Sequence, residues 1–323
     1  MKKLFYFSSI TLYFLLFPLF GWSQKIDNLA SFRNNSQNSY FRFHYDNDYF
    51  TATDKYYTQG YQFEVVSHSL RKNPLTRLLP QFKNSPTQFG LAFEHYGFTP
   101  TSIQSDVILV GDRPFATCIL LKTFKMSVDT VHRQRLSAAL SIGGVGPIAF
   151  GGEMQTAIHR LINGIKPQGW QHQIQNDLAL NYELNYEKQL VAYRSLFLVN
   201  SNSQIKIGTL QNQFQAGFTV MAGRFQSPFD GNIKRKRFQL YSYVQPSLGF
   251  VGYNTTLQGG PFNHSSPYTI ATEDISRVIF QNNFGLILRF KKMEFEYSQS
   301  FISKEFKTGT AHAWGGVRIG FLL

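Results

Sequence analysis

Four side chains in this sequence could together hydrolyse an ester. Asn47 and Asp48 are adjacent at the end of FRFHYDND, Thr58 follows in YYTQG, and His159 stands in GGEMQTAIHRLING. An aspartate beside an amide oxygen offers hard ligands of the kind Ca²⁺ takes. A bound cation polarises an ester carbonyl and stabilises the oxyanion that forms. Histidine can take the proton of an attacking water near neutral pH, and a threonine hydroxyl can orient water or substrate. Each residue also has an ordinary role. Asn and Asp cap turns, Thr is common in strands, and a histidine in a surface loop can be purely structural. They become a site only if the fold gathers them.

The elements that must do so alternate with period two. Phe41, Phe43 and Tyr45 oppose Arg42, His44 and Asp46; Leu178, Leu180, Tyr182, Leu184 and Tyr186 oppose Ala179, Asn181, Glu183, Asn185 and Glu187; Phe214, Ala216, Phe218 and Val220 line another such face, and Val317, Ile319, Phe321 and Leu323 the last. This pattern predicts strands at 41–49, 57–67, 88–98, 113–125, 135–146, 177–190, 194–207, 214–224, 238–252, 276–290, 293–303 and 312–323. One apolar face against a face rich in Glu and Asn fits lipid outside and a wet lumen inside. The expected fold is all-β: a transmembrane antiparallel up-and-down β-barrel of about twelve strands. In an even barrel the connections after odd strands share one end, and the two longest connections, 147–176 and 253–275, are among them, together with 99–112. The same end then receives Asn47, Asp48, Thr58 and His159, from the rim stretches 47–58 and 147–176.

The start of the chain reads as a signal peptide over residues 1–23, with basic Lys2 and Lys3, an apolar Leu4 to Phe20, and the small-residue pattern Gly21-Trp22-Ser23. Residues 24–323 then form one barrel domain, exported to the outer membrane. No later stretch approaches the ~18 apolar residues of a membrane helix. Cys118 is the sole cysteine, which rules out an internal disulfide. Charged residues are only 16%, below the ~25% of soluble domains, while mean hydropathy stays mildly negative, as strands that expose every second residue to lipid allow. Net charge is +13, or +11 without Lys2 and Lys3. A basic exported barrel suits a polyanion such as lipopolysaccharide, and no motif points to nucleic acid. The run Lys234-Arg235-Lys236-Arg237 reads as a solvated turn. His44 and Glu64 are expected in the lumen, and Tyr45, Tyr49, Phe50 and Tyr57 in an interfacial aromatic girdle.

Several ordered motifs resemble the lipid A 3′-O-deacylase family of outer-membrane barrels: Asn47-Asp48, Tyr57-Thr58-x-Gly60, Gly111-Asp112-Arg113-x-Phe115, Gly146-Pro147, Gln155-x3-His159-Arg160 and Trp170-x2-Gln173-Ile174. Thr256-Leu257-Gln258-Gly259 and Glu305-Phe306-Lys307-Thr308-Gly309 are similar too. The resemblance spans nearly the whole mature chain. It implies a twelve-stranded barrel that removes the 3′-linked acyloxyacyl group of lipid A in a Ca²⁺-dependent reaction. It further implies Asp48, helped by Asn47, as the metal site, His159 as general base, and Thr58 as the active-site hydroxyl. Two features depart from it. The stretch Thr99 to Val110 carries no Lys or Arg where a functional lysine is expected, and Ile165 stands where an acidic residue is expected six positions after the histidine. These departures motivate an alternative, a non-enzymatic outer-membrane barrel acting as channel or scaffold. A serine phospholipase ranks last, because no serine sits in a Ser-His-acid pattern. A monomer is expected.

Overall fold

The computed structural model describes residues 39–51, 55–161, 163–230 and 237–323. The expected signal peptide and residues 234–236 of the basic run lie outside them. Twelve strands follow in order: β1 (Tyr40–Asn47), β2 (Tyr56–Val66), β3 (Thr87–Thr99), β4 (Ala116–Asp129), β5 (Gln134–Val145), β6 (Asp177–Tyr193), β7 (Phe197–Gly208), β8 (Gln211–Arg224), β9 (Phe238–Asn254), β10 (Val278–Phe290), β11 (Met293–Ile302) and β12 (His312–Leu322). Each pairs antiparallel with the next, and β12 returns to β1, from Tyr40 opposite Leu322 to Asn47 opposite Gly315. The closed barrel leaves no strand edge, so every ladder group has a partner without water. Among the described residues no helix is long and apolar enough to cross a membrane. Strand ends match the sequence reading to within a few residues. The largest shift at a start is shared by β4, which begins at Ala116 rather than 113 because Arg113 turns inward to a buried partner, by β7, which begins at Phe197 rather than 194, and by β8, which begins at Gln211 rather than 214.

The barrel is inside-out by soluble standards. Phe63, Leu121, Ile142, Phe218, Leu248 and Phe250 are exposed on its outer wall. The alternate positions are buried and polar. Arg135 Nε donates to Glu187 at 2.9 Å, Arg289 Nε to Glu294 at 2.8 Å, and Arg318 Nη1 to Glu296 at 3.0 Å. Lys122 lies 3.1 Å from Glu94 and 3.5 Å from Glu183. Partnering of this kind is what buried charges require. His44 and Glu64 lie in this lumen, His44 against Asp46 and Arg318, and Glu64 3.7 Å from Arg42. Tyr57 belongs there as well rather than in an interfacial girdle. It is fully buried, stacked on Trp314 at 4.2 Å, and its hydroxyl donates to Asp46. Tyr45 and Phe50 do pack edge to face at the outer wall, and Tyr49 is 83% exposed.

The connections 100–115, 255–277 and 303–311 close the mouth at the long-loop end. Arg113 crosses it to Glu305 and donates to Thr256 Oγ1 at 2.8 Å, with its guanidinium 3.9 Å from the Phe98 ring. Gly111 N donates to Tyr268 Oη at 2.7 Å, and Thr308 Oγ1 donates to Gly111 O. Leu257, Ile270, Ile275 and Phe306 form an apolar lid beneath them. Three motifs of the resemblance therefore share this clasp. Burial pushes the Glu305 carboxyl up and the Arg113 guanidinium down from their usual ranges, each against the pull of the other. The connection 67–86, at the opposite end, folds back along the outer wall.

Candidate active site

Local irregularities at the ends of β1 and β2 place the first residues. The β2–β3 register shifts between Tyr57 and Gln59, which leaves Thr58 as a bulge. A bulge frees ladder groups and re-aims a side chain. The Thr58 carbonyl thereby accepts from Asn47 Nδ2 at 2.6 Å. Asn47 Oδ1 in turn accepts from Tyr49 N at 2.8 Å, an Asx turn that starts the 3₁₀ turn Asp48–Thr51. That turn lies against the end of β12, where only glycine fits. A Cβ on Gly315 would fall 2.6 Å from Phe50 Cβ. Asp48 is buried in this turn, 5% exposed.

The connection after β5 supplies the opposing wall. Helix α1 (Gly151–Leu161) lies on the outside of the barrel, not over its mouth. Gly151 is its point of closest approach. A Cβ there would meet Thr117 Oγ1 at 1.8 Å and the Trp170 ring at 2.8 Å. By strand alternation Thr117, His95 and Asn47 belong to the lipid-facing set, and the Thr58 methyl packs toward Gly97 on that same face. One turn on, Gln155 is 3% exposed. Its Nε2 donates to Thr58 Oγ1 at 2.9 Å, and its Oε1 accepts from Trp170 Nε1 at 2.7 Å. The helix thus runs from β4 toward β2. Positions four apart share a helix face, so His159 lies one turn on, on the face that Gln155 turns to the wall. His95 Nε2 donates to Ala149 O at 2.6 Å and stacks on Tyr61, which pins the approach to the helix.

His159 is half-buried, and its Nδ1 lies 2.7 Å from the carbonyl of Ile165. A carbonyl can only accept, so Nδ1 carries a proton, and in the neutral ring Nε2 keeps its lone pair. The main chain at position 165 thus holds the ring where the resemblance implied an acidic side chain. Lys166, next in sequence, is exposed.

The structure thus joins Asn47, Thr58 and Gln155 by direct hydrogen bonds, with Asp48 beside the first and His159 one turn beyond the last. They meet at the ends of β1, β2 and β4, in a seam between α1 and the lipid-facing wall. In the sequence Gln155 and Trp170 stand out only as members of the motifs. The i, i+4 spacing of Gln155 and His159 was the available signal. Among the described residues no group of three or more His, Cys, Asp or Glu side chains could hold a metal. A cation would therefore depend on Asp48, the second lone pair of Asn47 Oδ1, and main-chain carbonyls, an all-oxygen set of the hard type.

No curated protein matches this sequence. The solved structure of LpxR from Salmonella typhimurium superposes with a TM-score of 0.73 at 19% identity, covering 88% of this chain and all of that one. The β domain of the Bordetella autotransporter BrkA gives 0.46 at 6% identity, covering 90% of this chain and all of that one. The model of the family described as outer membrane protein LpxR matches residues 7–322. With its closed twelve-stranded barrel and that match over almost its whole length, the chain belongs to the LpxR family of outer-membrane proteins.

Proposed function

We propose that this protein is a Ca²⁺-dependent outer-membrane esterase that removes the 3′-linked acyloxyacyl group from lipid A. The observation that carries the reading is the linked set Asn47, Thr58, Gln155 and Trp170 in a seam that opens to lipid, with His159 on the next helical turn. A substrate that stays in a bilayer can reach such a seam sideways, which a lumenal site would not permit.

Asp48 would be the charged ligand of a cation, with Asn47 Oδ1 and main-chain oxygens beside it, and the chemistry such a cation would supply is polarisation of the ester carbonyl. His159 Nε2 takes the proton of the attacking water, and its Nδ1–H remains on Ile165 O, which keeps the ring oriented as it becomes cationic. Thr58 Oγ1 accepts from Gln155, so its own proton is free to point at water or at the ester. Gln155 and Trp170 hold the helix at the spacing this needs. The missing acidic residue at position 165 does not count against the site, because the main-chain carbonyl there does the orienting.

The channel alternative finds little support. The lumen carries a hydrogen-bonded polar network around a cavity of about 110 Å³, closed at one mouth by the Arg113 clasp and narrowed toward the other by Tyr40, Val66, Phe124 and Leu322. The test is mass spectrometry of lipid A incubated with the purified full chain in detergent, with Ca²⁺ or chelator. Release of a 3′ acyloxyacyl group by the wild type but not by His159→Ala supports the reading. No release under any divalent ion returns the protein to a scaffold role.

A further inference from the structure

The connection 67–86 belongs to the end away from the proposed active site, yet it does not hang free. It forms two 3₁₀ turns, His68–Lys72 and Pro74–Leu78, and climbs the outer wall. Phe82 N donates to Ser127 Oγ at 3.1 Å, Lys125 Nζ to Leu79 O at 2.8 Å, and Asn73 Nδ2 to Thr123 Oγ1 at 3.0 Å. Ser127, Lys125 and Thr123 alternate with lumenal Met126, Phe124 and Lys122, so all three belong to the lipid-facing set. Leu79 and Thr76 are buried under the strap, at 3% and 4% exposure. The lysine on the wall is thus shielded from hydrocarbon, where an uncovered ammonium is costly.

The strap's free surface is of two kinds. Leu75 and Leu78 are 46% and 64% exposed, and Arg71, Lys72, Arg77 and Lys83 are all exposed. No Asp or Glu occurs between Glu64 and Glu94. Exposed leucines among unopposed cations on a membrane wall fit the level where acyl chains meet headgroups. The long-loop end faces outward in such barrels, so this level belongs to the opposite leaflet.

We propose that the strap is a seat for anionic phospholipid headgroups on the leaflet opposite the proposed active site, with Arg71, Lys72, Arg77 and Lys83 holding the phosphates and Leu75 and Leu78 dipping among the chains. The seat depends only on the barrel crossing a membrane, not on the hydrolase reading.

The test places a reporter in the strap. Leu78→Trp in the full chain is reconstituted in nanodiscs holding brominated phosphatidylglycerol or brominated phosphatidylcholine, and fluorescence quenching gives the relative binding constants. Wild-type nanodiscs supply the background from the native tryptophans. Each cation at an anionic surface contributes about a fivefold preference at low salt, so phosphatidylglycerol is expected to be favoured at least about fivefold, with the preference fading as salt rises. Adding R71Q/K72Q/R77Q/K83Q is expected to erase it while quenching by phosphatidylcholine persists, in a barrel whose heat-modifiable gel migration is unchanged. Equal quenching by the two lipids in the Leu78→Trp chain, no quenching by either, or a preference that survives the four substitutions would each overturn the proposal.

Discussion

Gln155→Leu separates the seam from the proposed metal ligands and base. The substitution keeps the approximate volume and the helix propensity, and Gln155 touches neither the metal ligands nor the base. It removes the acceptor of Trp170 Nε1 and the donor to Thr58 Oγ1 together. A buried group left without its partner costs about 1–3 kcal/mol, so the docked state of α1 loses roughly 2–6 kcal/mol relative to an undocked one, in which both groups reach water or lipid headgroups. The barrel ladder does not depend on the seam, so global stability should barely change. If the reaction needs the docked helix, kcat/KM for deacylation should fall at least about tenfold, equivalent to ~1.4 kcal/mol. The assay is initial-rate release of acyl product from lipid A micelles with Ca²⁺, paired with hydrogen exchange over 151–161. Exchange there should quicken together with the loss of rate. Wild-type activity with wild-type protection would refute the reasoning, since the two hydrogen bonds would then hold nothing that matters. Lost activity with unchanged protection would instead move Gln155 into the chemistry.

His159→Ala should lower the rate by at least about a hundredfold, the usual worth of a positioned base, while heat-modifiable migration stays normal; wild-type turnover in that variant would remove the histidine from the mechanism. Chelation should abolish activity, and Ca²⁺ should restore it better than Mg²⁺, which demands a strict octahedron that one carboxylate and amide oxygens do not supply; Asp48→Asn should need far more Ca²⁺ for half-maximal rate. Gly151→Val should undock α1 as Gln155→Leu does, because its Cβ would occupy the space of Thr117 Oγ1 and the Trp170 ring; full activity would show that the helix need not touch the wall. Glu305→Leu should loosen the mouth by about 3–5 kcal/mol, leaving Arg113 buried without its carboxylate, and Glu305→Leu with Arg113→Met should recover most of it. The pKa directions agree. A carboxyl raised by burial loses stability as pH rises through its folded value, and a guanidinium lowered by burial loses it as pH falls, so burial works against both charged forms. Urea melts of the wild type and the two variants check this, and a double variant as weak as the single one would contradict it.

Period-two alternation was enough to specify the barrel, because a strand between lipid and a wet lumen must show opposite chemistry on its two faces. Even the strand ends were legible, since turn residues and runs of polar side chains break the pattern. Asn47, Asp48, Thr58 and His159 could be named as candidates from residue type, strand topology and the family resemblance together. Tyr57 was misread, because the bulge at Thr58 resets the alternation and turns it inward, and a one-residue offset leaves no mark in composition. The strap over Lys125 was equally hidden, since proline-rich sequence announces a loop but not the surface it lies on. Above all, the sequence placed the candidates at one end of a cylinder, while only tertiary packing laid α1 against the outer wall. Contacts between Gly151 and Thr117, Gln155 and Thr58, and His95 and Ala149 join residues far apart in the chain. Such contacts depend on which surfaces fit once the barrel has closed, and no local pattern encodes that fit.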